Sequence, residues 1–339
     1  MRKIIFLLTL LASAPIYAHE TASTADAIRH APIGVMGDHM HKTGEWMFSY
    51  RYMKMTMKGS LDGSKSRSAA EITGTMMNPG PYMVAPLEMT MEMHMLGAMY
   101  APSDKFTLIA MLPVLDKKMD HRTRMGAEFA TEASGLGDVQ IGALVNAYYS
   151  ADQRHRVHFN IGLSLPTGSV DERDDTPAMA NAKLPYPMQL GSGTYDLLPG
   201  LTYQAYSGAY NWGAQLLATI RTDYNDEAYR LGNRYETSTW LARSWSPALS
   251  SALRVKYSRW ANIHGADPDL NPMMVPTADP RNQGGERGDL LISTNYLFSS
   301  GSLKGNRLAL EYGLPFYQDL DGPQMEMQHS FTLGWQYAF

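Results

Sequence analysis

The chain has 339 residues, of which 18 % are charged, with a formal net charge of −4 and no cysteine. Such a balance offers no basic face for nucleic-acid phosphates, and a chain without thiols forms neither a disulfide nor a zinc–thiolate site. The length suits two soluble domains or one large all-β domain.

Met1-Arg2-Lys3 is a basic start, Ile4 to Ala14 is a short apolar core, and Ala18 is a small residue at a cleavage position. The pattern predicts a secretory signal over 1–18, which stands outside the fold. No later run approaches the roughly eighteen apolar residues of a membrane helix. Residues 19–44 are expected to form a periplasmic, Met/His-containing segment able to plug a lumen, and residues 45–339 the body of the protein.

From Glu45 onward the apolar residues recur with period two. Val157, Phe159, Ile161 and Leu163 alternate with His158, Asn160, Gly162 and Ser164; Trp212, Ala214, Leu216, Ala218 and Ile220 repeat this against Asn211, Gly213, Gln215 and Thr219. Runs of about ten residues match tilted membrane strands. Twelve segments are predicted, near 45–57, 87–100, 106–115, 137–149, 156–166, 194–206, 211–224, 233–245, 249–261, 287–299, 306–318 and 325–339. Short connections around 101–105, 150–155, 207–210, 246–248 and 300–306 alternate mostly with long polar ones over 58–86, 116–136, 167–193 and 262–286. The prediction is an all-β, twelve-stranded antiparallel transmembrane β-barrel, monomeric, with short periplasmic turns and long extracellular loops. Its setting is the outer membrane of a Gram-negative cell, with outer-membrane lipids as partners. A soluble β-sandwich is the competing fold.

The methionines are unevenly placed: 17 of the 24 lie between Met36 and Met125. Met36, His39, Met40 and His41, with Asp38, make a compact cluster before the first strand. Thioether and imidazole suit copper, the thioether above all Cu(I). On the first strand Met53, Met55 and Met57 share parity with Arg51, while Trp46, Phe48, Tyr50 and Tyr52 share the other. An arginine facing mid-membrane lipid costs about 2–4 kcal/mol, so the methionine face is expected to look inward. On the second strand Met89, Met91 and Met93 alternate with Glu88, Glu92 and His94, and the two faces compete for the inside. Either the charged residues rise above the bilayer, or a β-bulge switches parity. The first alternative sets Met53, Met55 and Met57 across from Met89, Met91 and Met93, with His94 close by. Arg51 and Glu311 are expected to be polar residues of the lumen.

Phe331, Leu333, Trp335, Tyr337 and Phe339 share one face of the last segment, and the chain ends on the aromatic. A terminal phenylalanine after alternating aromatics resembles the signal read by the barrel-assembly machinery, so Phe339 is the expected contact with that partner.

Gly135-Leu136-Gly137-Asp138 opens a predicted strand, Leu163-Ser164-Leu165-Pro166-Thr167-Gly168 closes one, and Gly193-Thr194-Tyr195-Asp196-Leu197-Leu198-Pro199-Gly200 opens another. With Leu314-Pro315 and Gly322-Pro323-Gln324, these stretches resemble the outer-membrane family named after the meta-pathway of phenol degradation. That resemblance implies an outer-membrane barrel admitting hydrophobic or aromatic compounds, and it supplies no catalytic residues. Two cargo readings stay open: copper or another soft metal held by Met/His donors, and small hydrophobic or aromatic solutes along a path lined by flexible apolar side chains. The Met/His composition is similar to that of copper-resistance outer-membrane proteins, without their long repeats. A lipid-modifying enzyme is disfavoured because no histidine is followed by serine two residues on, and a serine nucleophile needs a base within reach.

Overall fold

The computed structural model describes residues 27–339; the expected signal over 1–18 lies outside them. The strands are β1 (Trp46–Gly63), β2 (Val84–Ser103), β3 (Phe106–Thr123), β4 (Glu128–Leu136), β5 (Gln140–Tyr149) and β6 (His155–Ser164). They continue as β7 (Asp196–Ser207), β8 (Tyr210–Arg221), β9 (Arg234–Ser246), β10 (Leu249–Trp260), β11 (Gly285–Leu297) and β12 (Asn306–Ala338). All except β4 form a closed antiparallel ring of eleven strands in chain order. The 33-residue β12 closes it, pairing with β11 through 307–320 and with β1 through 320–338. Two more strands of the same sheet lie outside the ring: β4 pairs on β3, and the short Lys65–Arg67 folds back on β1.

Alternation decides which side each residue sees. Phe159, Ile161, Leu216, Leu241, Leu253 and Ile292 are exposed on the outside, while His158, Gln215, Ala242, Ala252 and Ser293 are buried inside. At one rim the strands meet in the short connections foreseen from sequence, and Trp46, Tyr149, Tyr210, Trp245, Tyr296 and Phe339 are exposed near it. Tyr195, Tyr235, Tyr257 and Phe316 are exposed towards the other rim. An apolar belt between aromatic girdles is the outer surface of a membrane barrel. Among the described residues no helix is long and apolar enough to cross a membrane.

Two expected loops are partly strand. The span 116–136 is a hairpin, with β3 and β4 in unbroken register from Val114↔Leu136 to Arg122↔Glu128. The span 58–86 is shortened by β1, which runs to Gly63, and by the start of β2 at Val84; between them Ser68 caps a short helix, Ala69–Thr73, through a capping box with Glu71. The polar composition that read as loop belongs to strand continuing past the lipid. Lys117, Met119 and His121 are buried inside, whereas Lys118–Glu132 (2.7 Å) and Arg122–Glu128 (2.6 Å) pair on the exposed face. Outward charges of this kind are favourable only where the strand meets water.

Three of the stretches that carry the family resemblance meet at the ends of β5, β6 and β7, while Leu314-Pro315 and Gly322-Pro323-Gln324 lie on β12. The Asp138 carboxylate accepts from the Gly168 N–H (3.0 Å) and from the Ser192 N–H and hydroxyl (2.8 and 2.7 Å). Thr167 Oγ1 donates to the Gly137 carbonyl (2.8 Å) and accepts from the Val139 N–H (2.9 Å). Gly168 and Gly191 touch backbone to backbone, so that a Cβ on Gly168 would lie 2.7 Å from Gly191 Cα. These residues tie the returning loop to two strand ends, which is a structural task. Replacing Asp138 by Ala leaves two backbone donors without their carboxylate, and each such loss costs about 1–3 kcal/mol when buried. Urea-induced unfolding in detergent should show D138A less stable by an amount in this range; an unchanged midpoint would contradict the latch.

Candidate functional site: the plugged lumen

Residues 27–41 lie inside the barrel at the rim of short connections, and the exposed residues 42–44 lead from there to β1. The backbone of 27–41 is held from around the inner wall. His158 Nε2 donates to the Gly37 carbonyl (2.9 Å), Gln215 Nε2 to the Met36 carbonyl (2.8 Å), Tyr206 to the Arg29 carbonyl (2.9 Å) and Arg307 to the Ala31 carbonyl (2.7 Å). Thr107 Oγ1 accepts from the His41 N–H (3.1 Å). Apolar contacts complete the fit: Ile28 packs on Ala242 and Ala252, and Ala31 and Val35 pack on Trp240.

Three inner-wall charges shape the plug. Arg254 and Glu311, both buried, form a salt bridge beneath Gly34, where any Cβ would lie 2.2 Å from both Arg254 Nη2 and Glu311 Oε1. Only glycine lets the chain pass so close. Arg51 is buried on the inner face of β1 and donates from Nη1 to Met36 Sδ (2.8 Å). Both expected lumen residues, Arg51 and Glu311, are therefore on the inner wall.

The structure settles the ambiguous second strand. β1 and β2 run in register from Trp46↔Tyr100 to Lys58↔Glu88, which sets Met53 opposite Met93, Met55 opposite Met91 and Met57 opposite Met89. Met89, Met95 and Met99 are buried on the inner face, Leu96 is exposed on the outer one, and no register shift interrupts β2 between Glu88 and Tyr100. The parity-switching bulge does not occur there. Glu92 and Glu88 face outward and pair with Lys54 (2.8 Å) and Lys58 (3.1 Å). His94 is outward too, with its Nδ1 2.7 Å from the Tyr50 hydroxyl, and so stands apart from the methionines that flank it in sequence.

The inward methionines divide by surroundings. Met89 and Met119 are sealed under Leu184, Met188 and Leu190 of the loop following β6, with Met57 and Met325 against them. Lys117 Nζ pins that loop by donating to the Pro187 (2.9 Å) and Gln189 (2.5 Å) carbonyls. Met36, Met53, Met93, Met95 and Met111 instead border a cavity of about 320 Å³ between plug and wall, shared with Ile33, Ile109, Leu144 and Leu217. Met40 packs against Met47, Met99 and Leu144. A second cavity of about 460 Å³ lies towards the other rim, where Lys117, Arg221, Arg234 and Arg287 join Met57 and Met327.

Within the plug, His39 and His41 are buried and their rings lie 4.8 Å apart; the His30 ring, which sequence reasoning passed over, is 4.6 Å from that of His39. Burial, then the charge of Arg307, holds His30 well below its ordinary value, and burial followed by the charge of His39 brings His41 down to about 4. These two imidazoles are therefore neutral at pH 7. Burial opposes the charge on Asp38, but His39, through charge and hydrogen bond, and then His30 and Arg307 hold its carboxyl well below the usual carboxylate range. No spacing rule links position 30 to 39; only the fold of the plug brings them together.

Residues 76–267 match the family model described as "Putative MetA-pathway of phenol degradation". The chain belongs to this family. Its match spans the three motif stretches that meet at Asp138. Among solved structures, the COG4313 outer membrane channel from Pseudomonas putida F1 is similar with a TM-score of 0.60 at 14 % identity, over 91 % of this chain and 100 % of that one. A Pseudomonas aeruginosa FadL homologue gives a TM-score of 0.40 at 12 % identity, over 87 % of this chain and 89 % of that one. At such identities the likeness to the first is one of fold. No curated protein matches the sequence. With its apolar outer belt and its family, the protein is a β-barrel of the Gram-negative outer membrane.

The close passage at Gly34 yields a direct test of how the plug is held. Gly34→Ala must push the plug or split the Arg254–Glu311 pair, an overpacking cost of about 1–3 kcal/mol. Hydrogen exchange should show residues 27–41 losing amide protection roughly five- to a hundredfold while the strands keep theirs. Unchanged protection of the plug would contradict the packing described.

Proposed function

We propose that the protein is an outer-membrane transport channel, plugged at its periplasmic end, that handles a soft metal ion such as Cu(I) through the thioethers of its lumen. The observation that carries this reading is the inward, cross-strand register of Met53, Met55 and Met57 with Met93, Met91 and Met89, continued by Met36, Met95 and Met111 around open space. Methionine packs well in irregular gaps, and Met89 and Met119 serve that purpose under the loop. Met36, Met53, Met93, Met95 and Met111 border the cavity instead. Thioethers are uncharged, need no deprotonation and favour soft ions; a row of weak equivalent sites favours passage over storage.

The rim of short connections, which carries Trp46 and Phe339, is read as periplasmic, and the long loops with the β3–β4 hairpin as extracellular. Counted as two staves folded at Gly322, where φ is +78, β12 brings the ring to twelve strands. The barrel is read as a monomer whose terminal Phe339 is recognised during assembly.

A second reading rests on the other lining residues of the same cavity. Ile33, Ile109, Leu144 and Leu217 would suit a small hydrophobic or aromatic solute, for which methionine is adaptable apolar lining. Ag(I), a redox-stable stand-in for Cu(I), separates the two. The combined replacement of Met53, Met55, Met91 and Met93 by Leu keeps volume and apolarity, with a stability change below about 1.5 kcal/mol per site. On the metal reading the variant binds Ag(I) at least tenfold more weakly than the parent by calorimetry in detergent. Equal binding would transfer the lumen to apolar solutes.

A further inference from the structure

Among the described residues, three imidazole nitrogens inside the plug have no hydrogen-bond partner: His30 Nδ1, His39 Nε2 and His41 Nε2, all buried. A buried polar atom left unpaired costs about 1–3 kcal/mol, so three on contiguous rings call for an occupant. The other ring nitrogens of two of these histidines are engaged by carboxylates. His39 Nδ1 donates to Asp38 Oδ1 at 2.7 Å, and His41 Nδ1 faces Glu45 Oε2 at 3.4 Å. A carboxylate on one nitrogen fixes the tautomer, aims the ring and raises the basicity of the opposite nitrogen, which is how proteins hold metal-ligating histidines. Asp38 is itself anchored, since its Oδ2 accepts from the Ala31 N–H at 2.9 Å. One ligand atom from each of His30, Asp38 and His39 lies within 4.8 Å of the other two.

We propose that His30, His39 and His41 form a binding site for a borderline divalent cation, Zn(II) or Cu(II), built into the plug. Three imidazoles with a carboxylate nearby suit these ions. The thioethers of the same segment stand aside: Met36 Sδ accepts from Arg51, and Met40 is packed with Met47 and Met99. Arg307 lies close and opposes a cation, while Asp38 and Glu45 offset it. The site is therefore distinct from the thioether-lined lumen and holds whatever the cargo proves to be. A bound ion would join position 30 to positions 39 and 41, turning the plug into a cross-linked loop that opens as one piece.

The test uses the untagged full barrel in detergent, stripped with a chelator and titrated with Zn(II) against a chromophoric competitor, and separately with Cu(II) followed by electron paramagnetic resonance. One equivalent should bind, with nitrogen splittings in the Cu(II) spectrum. His30→Gln, His39→Gln and His41→Gln should each weaken Zn(II) binding about tenfold or more. Met53→Leu with Met93→Leu should leave Zn(II) binding unchanged, which separates this site from any soft-metal path. Three single variants guard against one that misfolds, and unchanged strand protection in hydrogen exchange identifies those that fold. Failure of the parent to bind one equivalent, or undiminished affinity in all three variants, overturns the proposal.

Discussion

Hydrocarbon offers a peptide group no hydrogen-bond partner, and the rest of this structure follows from that. Each unsatisfied backbone group in lipid costs several kcal/mol, so a sheet that crosses a membrane must have no edge. Here the requirement is met by β12, which pairs with β11 along one part of its length and with β1 along the other. Once the ring is closed, each strand has one face on lipid and one on an enclosed interior, and period two assigns every side chain to one of them. The outward charges on β1 to β4 fit the same constraint. Lys54–Glu92, Lys58–Glu88, Lys118–Glu132 and Arg122–Glu128 gather on the parts of these strands remote from the short connections, where the outer face meets water.

A polar interior also needs partners, and the plug supplies them. The inner wall presents His158, Tyr206, Gln215 and Arg307, and each donates to a different carbonyl of residues 29–37. The plug is thus bound chiefly by its backbone, with Gly34 passing over the Arg254–Glu311 pair where a side chain would not fit. Each such hydrogen bond contributes only about 0.5–1.5 kcal/mol net, but they are distributed around the wall. Displacement would require losing several together, so the segment moves as a unit or stays.

The methionine face serves two ends within one lumen. Near the long loops the sulfurs are buried under Leu184, Met188 and Leu190 and act as packing. Near the plug they border a cavity. The same residue type, at the same parity on the same strands, therefore acquires different surroundings according to whether a loop or the plug stands opposite it.

Period-two alternation, the spacing of short turns and the aromatic C-terminus made the barrel legible in the sequence, because a strand with lipid on one side must sort its residues by parity. The inward placement of Met53, Met55 and Met57 followed from Arg51, since lipid would not accept that charge. The facing of Met89, Met91 and Met93 could not be read, because charged residues on the opposite parity argue for water without saying whether that water is inside the barrel or above the bilayer; the register with β1 decided it. The hairpin over 116–136 was hidden for the same reason: a strand outside lipid needs no apolar face and looks like a loop. The meeting of His30 with His39 and His41 carries no local periodicity at all. It exists because the wall's donors bend the plug back on itself, and a contact made through backbone carbonyls leaves no mark on residue type.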